Sequence, residues 1–273
     1  MSKETNEQRV RAFQQDIMDW WHTNARDLPW RRNNSPYVVL VSEIMLQQTQ
    51  VNRVIPKFKK FVQKFPSIED LANAKTKQVM QVWNGLGYNR RAIWLRDAAK
   101  KIVDKGVFPR TIEELIELKG IGPYTSRSIL IFAFNEDLAA VDTNIRRVFI
   151  SAGFATEESS KQEVQDMADR LLLKGQAQDW HNALMDYGSK VLTSNSTGIS
   201  PRTKQSKFEG STRQLRGEIV RILTYSEPLE VGELISEMDM DAPEQVEIMT
   251  TLHNLEKDQL VEQTNTGRYR LPR

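Results

Sequence analysis

Glu43 stands out because of its neighbours. It lies in Tyr37-Val38-Val39-Leu40-Val41-Ser42-Glu43-Ile44-Met45-Leu46, a run otherwise apolar except for Ser42. A carboxylate carried into a core is costly unless it is paired or protonated. A salt bridge to an arginine, or a rim position reaching water, would relieve that cost too. Next comes Gln47-Gln48-Thr49-Gln50, polar and uncharged. Such amides can enter a base stack and bond base edges without stranding a charge, or form ordinary polar helix surface. Gly85-Leu86-Gly87-Tyr88 then offers an aromatic beside a double-glycine turn, followed by Arg90, Arg91 and Arg96. Tyr88 stacked on a base with the arginines on phosphates fits this pattern, as does a loop closed over the core.

A second constellation runs from Leu118 to Val148. Thr111 to Leu118 patterns as a short amphipathic helix, with Ile112, Leu115 and Leu118 on one side. Tyr124 to Phe134 patterns as another, apolar at Ile129, Leu130, Phe132 and Ala133. Between them, Gly120 and Gly122 supply backbone freedom, and Pro123 suits the first turn of the following helix. Helix, G-x-G hairpin, helix aims bare backbone N–H groups at a phosphate. Farther on, Asp142 stands in the polar turn Val141-Asp142-Thr143-Asn144. Alone, the hairpin is also a plain turn and Asp142 also an N-cap.

The rest of the chain must position these groups. Its 273 residues suit one large domain or two smaller ones with an ample core. The net charge of +2 and a pI near 8.7 permit an anionic partner without establishing one. No cysteine is present, which excludes disulfides and thiolate-held metals, and His22, His181 and His253 form no ligand spacing. Met1 to Gln8 is polar and lacks an apolar signal region; no span reaches membrane length. We therefore expect a monomer, cytoplasmic (on the nucleoid in a prokaryote) and away from membranes. Arg9 to Asn24 patterns as an amphipathic helix, Pro36 opens the next, and Val51 to Phe61 forms a third. Ser67-Ile68-Glu69-Asp70 is a helix start by its capping residues.

Five segments carry a specific resemblance: Leu28-Pro29-Trp30-Arg31, Ser42 to Val51, Trp83 with Gly85 to Tyr88, the hairpin with Asp142, and Asn182-Ala183-Leu184-Met185-Asp186-Tyr187-Gly188. In this order they resemble the adenine DNA glycosylases of the MutY type, in the helix-hairpin-helix (endonuclease III) superfamily. The likeness covers roughly Arg9 to Val191. It implies a mainly α fold of two helical subdomains flanking a cleft. It also implies hydrolysis of the N-glycosidic bond of an adenine flipped out of double-stranded DNA, opposite 8-oxoguanine or guanine. Glu43 would be the acid that protonates the leaving adenine at N7, its pKa raised by the apolar setting. Asp142 would stabilise the oxocarbenium-like sugar or form a transient covalent adduct, with Asn144 orienting the carboxylates or the water.

Where relatives that also nick the backbone carry a lysine in the hairpin, this chain has Tyr124, so the resemblance implies a monofunctional enzyme. It assigns DNA contacts to Arg31, Gln47, Gln48, Thr49, Tyr88, Arg90, Arg91, Lys119, Gly120, Gly122 and Thr125. Two alternatives remain: a thymine/uracil mismatch glycosylase of similar architecture, and a non-catalytic DNA-binding relative.

The chain departs from the family in two places. Relatives usually hold a [4Fe–4S] cluster on four cysteines, at whose register this sequence has Leu192, Ile199, Arg202 and Phe208. We expect a clusterless member with no cofactor, and Ser194 to Lys207 as packed loop or linker. Relatives also often end in a Nudix-like domain, for which the C-terminal stretch here is too short. Arg213 to Thr224, Val231 to Met238 and Pro243 to Asp258 pattern as helices. A hairpin turns at Asn265-Thr266-Gly267, and together these elements look like a winged helix. Glu244, Glu247 and Glu256 on its third helix favour a packing module over a second DNA reader. The expected division is a disordered 1–8, a glycosylase domain over 9–208 and the small module over 209–273.

Overall fold

The computed structural model describes residues 3–200, 207–238 and 245–272. Helix α1 (Lys3–Asn24) opens the chain, followed by a 3-10 turn at Pro29–Arg31 and by α2 (Pro36–Leu46). Next come α3 (Val51–Lys64), α4 (Ile68–Ala72), α5 (Thr76–Trp83) and α6 (Arg90–Lys105). The hairpin helices are α7 (Ile112–Ile116) and α8 (Pro123–Phe134). After them run α9 (Thr143–Ser151), α10 (Lys161–Arg170), α11 (Ala177–Lys190) and α12 (Ser194–Thr197). The chain ends with α13 (Thr212–Tyr225), α14 (Val231–Ser236), α15 (Gln245–Lys257), β1 (Glu262–Gln263) and β2 (Tyr269–Arg270).

Two compact units result. The first comprises Met1–Val39, Arg110–Ile116 and Ile121–Lys204; the second Leu40–Pro109, Glu117–Gly120 and Gln205–Arg273. In the first, the apolar stripes of α1, α8, α9 and α11 bury Ile17, Ile131, Phe149, Trp180 and Leu184. Phe13 meets Phe149 and Trp180 edge-on, the arrangement that ring quadrupoles favour. One close approach governs the site: a Cβ on Gly188 of α11 would come within 2.8 Å of the Asn144 carbonyl oxygen on α9. Only glycine lets these two helices touch there.

The second unit packs α4 on α6 and α5 on α3, burying Phe61, Leu71, Trp83 and Leu95. The Ser67–Asp70 capping box starts α4 as its sequence indicates. The C-terminal elements pack in this same unit, α13 against α5 and α15. Their helices and hairpin match the expected pattern, with Glu262 opposite Arg270 and a further bridge from Leu229 to Tyr269.

Several expected boundaries shift. Residues 3–8, expected to be disordered, continue α1, because Lys, Glu and Gln propagate a helix without an apolar stripe. The first hairpin helix ends at Ile116 rather than Leu118. Gly122 has φ −102°, open to any residue, so only Gly120 at φ +84° needs glycine for its backbone. Within the expected linker, α12 and buried Ile199 give residues 194–199 definite structure. Arg202 and Glu244 lie outside the described residues. No helix among the described residues is long and apolar enough to cross a membrane.

Candidate active site

In the first unit, Asp142 caps the N-terminus of α9. One carboxylate oxygen accepts from the Ile145 N–H at 2.7 Å, the other from Asn144 Nδ2 at 2.9 Å. Asn144 is itself oriented, since its Oδ1 accepts from Arg147 Nη2 at 2.7 Å. Arg147 is buried and also bonds the carbonyls of Gly188, at 2.8 Å, and Leu192. A chain of bonds thus fixes the carboxylate from α11 through Arg147 and Asn144. Asp142 retains some solvent-facing surface, but burial of the carboxyl dominates and pushes its pKa above the ordinary value. The bonds from Ile145 and Asn144 and the Arg147 charge oppose that rise without cancelling it. Burial also lowers the Arg147 pKa, against the pull of Asp142.

Asp186, in the same unit, has no exposed side-chain surface. It accepts from Trp21 Nε1 at 3.1 Å, the Arg26 N–H at 2.9 Å and Arg26 Nε at 2.5 Å. Arg31 adds a bidentate pair, both bonds 2.8 Å. Burial alone would raise the Asp186 pKa, but Arg31 and Arg26 outweigh it and hold it below the usual value. This corrects the assignment of Arg31 to DNA: a buried carboxylate commits its guanidinium inward. Tyr124 is 38% exposed on the first turn of α8, as a surface role requires. Thr125 beside it is buried, so its side chain does not face DNA.

In the second unit, Glu43 is partly buried on α2, between buried Ser42 and Ile44. It is engaged by a neighbouring group within the protein. Directly after it lies the other correction. Arg91 is 5% exposed, and its Nη1 donates to the carbonyls of Ile44 at 2.7 Å, Met45 at 3.1 Å and Gln47 at 2.6 Å. Its Nη2 reaches Thr49 Oγ1 at 3.0 Å and the Gly87 carbonyl at 3.2 Å. Arg91 therefore caps the C-terminal end of α2, where unpaired carbonyls and the helix dipole favour a cation, rather than meeting phosphate. Burial lowers its pKa to about 10, partly offset by Tyr88.

Tyr88 sits at φ +49°, left-handed backbone that few aromatics adopt, after Gly85 at φ +88° and Gly87 at φ +73°. Its hydroxyl accepts from Arg213 Nη1 at 2.7 Å. Gln48 is also left-handed, at φ +54°, and exposed, whereas Gln47 donates to the Gly120 carbonyl at 3.0 Å. Thr49 spends its hydroxyl on Arg91 and the Gln47 carbonyl. Arg90 pairs with Asp258 at 3.0 Å and lies over the Trp94 ring, still 40% exposed. Lys119 is exposed on the hairpin, and a Cβ on Gly120 would strike the Trp94 ring at 2.6 Å.

No thiolate is available anywhere in the chain, so these residues do not fit the cluster that relatives hold. At three of the corresponding positions Leu192 packs on the core, Ile199 is buried and Phe208 is exposed. Among the described residues no group of three acidic or histidine side chains is placed to hold a metal.

Residues 41–172 match the HhH-GPD superfamily of base excision DNA repair proteins. The chain is 33% identical to an adenine DNA glycosylase of Mycolicibacterium smegmatis, over 94% of each chain. It is 38% identical to that of Rattus norvegicus, over 67% of this chain and 39% of the relative. A thermostable thymine-DNA glycosylase superposes with a TM-score of 0.62 and 27% identity, over 72% of this chain and 91% of that one. Endonuclease III trapped on DNA shares the fold, with a TM-score of 0.61, 21% identity and cover of 71% and 90%. The chain belongs to the adenine DNA glycosylases of the HhH-GPD superfamily.

Proposed function

We propose that the chain excises adenine mispaired with 8-oxoguanine or guanine by hydrolysis, without nicking the strand. The observation that carries this reading is Asp142, held through both oxygens and oriented by Asn144. Protonated Glu43 gives its proton to N7 of the flipped adenine, and the C1′–N9 bond breaks with its electrons going to the base. The sugar becomes cationic, and ionised Asp142 supplies the counter-charge. Water then adds at C1′ and its proton returns to Glu43. A cation forming beside Asp142 favours its ionised form, offsetting the cost of burying that charge. Tyr124 has no amine to form a Schiff base, in keeping with one activity. DNA contacts fall to Gln48, Tyr88, Arg90, Lys119 and the Gly120–Gly122 turn.

Single-turnover base release from A:8-oxoG, A:G, T:G and U:G duplexes tests the substrate. Adenine release from the first two and none from the others is expected; thymine or uracil release would replace this reading with the mismatch glycosylase. Glu43→Gln should retain duplex binding and lose most release. A rate within about threefold of the parent, well under 1.4 kcal/mol, would mean another group is the acid.

A further inference from the structure

The acidic third helix of the C-terminal module favours packing over DNA contact. The module's first helix carries a different message. A groove of about 880 Å³ opens in the second unit, with α13 on one side and the Gly85–Tyr88 turn on the other. Arg53, Arg90 and Arg91 line it from the main body, and Arg213, Arg216 and Arg221 from α13. Glu218 and Asp258 are the only carboxylates among those lining residues. With Arg91 committed to the end of α2, five cations still face two anions there, in a chain whose net charge is only +2. The groove shares Arg90, Trp94 and Asp258 with a second recess that adds Lys119, Gly120 and Lys257. The cationic track therefore runs from α13 to the hairpin lysine.

Aromatics interleave with the charge. Phe208 lines the groove, 53% exposed, with the Arg213 guanidinium 5.3 Å from its ring centre. The same guanidinium bonds the Tyr88 hydroxyl and lies 5.5 Å from that ring. Arginines beside an exposed ring, Phe208, and a half-buried one, Tyr88, combine the charge and the stacking faces that nucleic-acid surfaces use.

We infer that the C-terminal module is part of the DNA-binding surface: α13 supplies a phosphate-contacting wall, and Arg213 positions Tyr88. This rests on the DNA reading of the site above. The Arg213 bond holds the left-handed Tyr88 in one place before DNA arrives, and a phosphate in the groove competes for that guanidinium.

The test uses the full chain with Arg221→Gln and Arg213→Gln, and duplexes with and without an A:8-oxoG pair. Arg221 is 42% exposed and pairs within its own helix with Glu218, and the thermal midpoint of the variant checks that the fold is kept. Each variant should weaken binding to both duplexes at least fivefold at low salt. Each should also make the slope of log K against log salt shallower by about one. Arg213→Gln should in addition narrow the gap between lesion and plain duplex, whereas Arg221→Gln should not.

Parental affinity and slope in Arg221→Gln would overturn the inference, even if Arg213→Gln lowered the thermal midpoint. If the parent releases adenine while Arg221→Gln binds as the parent does, the groove is wrong and the function stands. If the parent releases no base from any mispair yet binds DNA with this arginine dependence, the function is wrong and the groove stands.

Discussion

Asp142 and Asp186 are the same residue in the same unit, held in opposite ways. Asp186 receives five hydrogen bonds, four of them from two arginines, and its pKa falls below the usual range. Asp142 accepts from the Ile145 and Asn144 backbone and from the Asn144 side-chain amide, with Arg147 acting through Asn144, and its pKa rises. The first arrangement satisfies a charge; the second leaves it under-satisfied. A carboxylate that must meet a transient cation cannot already have its partner. Asp186 thus fastens the α1–α2 connection to α11, whereas Asp142 is left without a directly bonded cation, as its proposed role requires.

The strongest challenge to that contrast is Asp186→Asn. It leaves Arg26 and Arg31 without a counter-charge and should cost about 3–5 kcal/mol of unfolding free energy, measured by urea denaturation. A loss below about 1 kcal/mol would show that the pair is not structural. Asp142→Asn should instead slow single-turnover adenine release by about 10²–10³-fold, worth roughly 3–4 kcal/mol, with duplex affinity kept.

Gly188→Ala sits between the two effects. Its methyl would meet the Asn144 backbone, which cannot rotate away, so a loss of about 1–3 kcal/mol in stability is expected. A slower excision step should accompany it, and an unchanged rate would detach Asn144 from the positioning of Asp142.

The smallest effect carries the clearest sign. Because the folded-state pKa of Asp142 is raised, its ionisation opposes folding above the ordinary carboxylate pKa. Asp142→Asn should therefore raise the thermal midpoint at pH 7; the gain should shrink as the pH falls through the raised folded-state pKa and vanish below about 4. Asp186 runs the other way: its pair stabilises above that pH and is lost below it. In the same acid range, release by the parent should fall as Asp142 takes up a proton, at a pH above the usual carboxylate value. A profile flat down to about pH 4 would contradict the direction assigned to it.

Sequence made the helices legible where a start signal preceded apolar residues: Pro36 for α2, the Ser67–Asp70 box for α4 and Pro123 for α8. The candidates stood out in different ways: Glu43 as the one carboxylate in an apolar run, and Asp142 through the resemblance. Arginine direction was not. Arg31 and Arg91 stand among polar or glycine residues and read as phosphate ligands, yet both turn inward. Their acceptors are Asp186, distant in sequence, and carbonyls at the end of α2, which composition does not reveal. The contacts of Arg147 and Gly188 were not legible for a related reason. Their roles exist only once α9 and α11 are in contact. The Arg146-Arg147 pair within an amphipathic helix was the one available signal.

Arg91 joins two stretches of chain that the sequence keeps more than forty residues apart. Its guanidinium is out of water, so removing either stretch would leave a buried cation short of acceptors. The end of α2 and the Gly85–Tyr88 turn should therefore open as one cooperative event, not by separate fraying. In native-state hydrogen exchange, amides near Thr49 and those near Arg91 should share one opening free energy and one denaturant dependence. Gln48 and Tyr88 thus move as a single plate, and a thermal fluctuation large enough to misplace one displaces both.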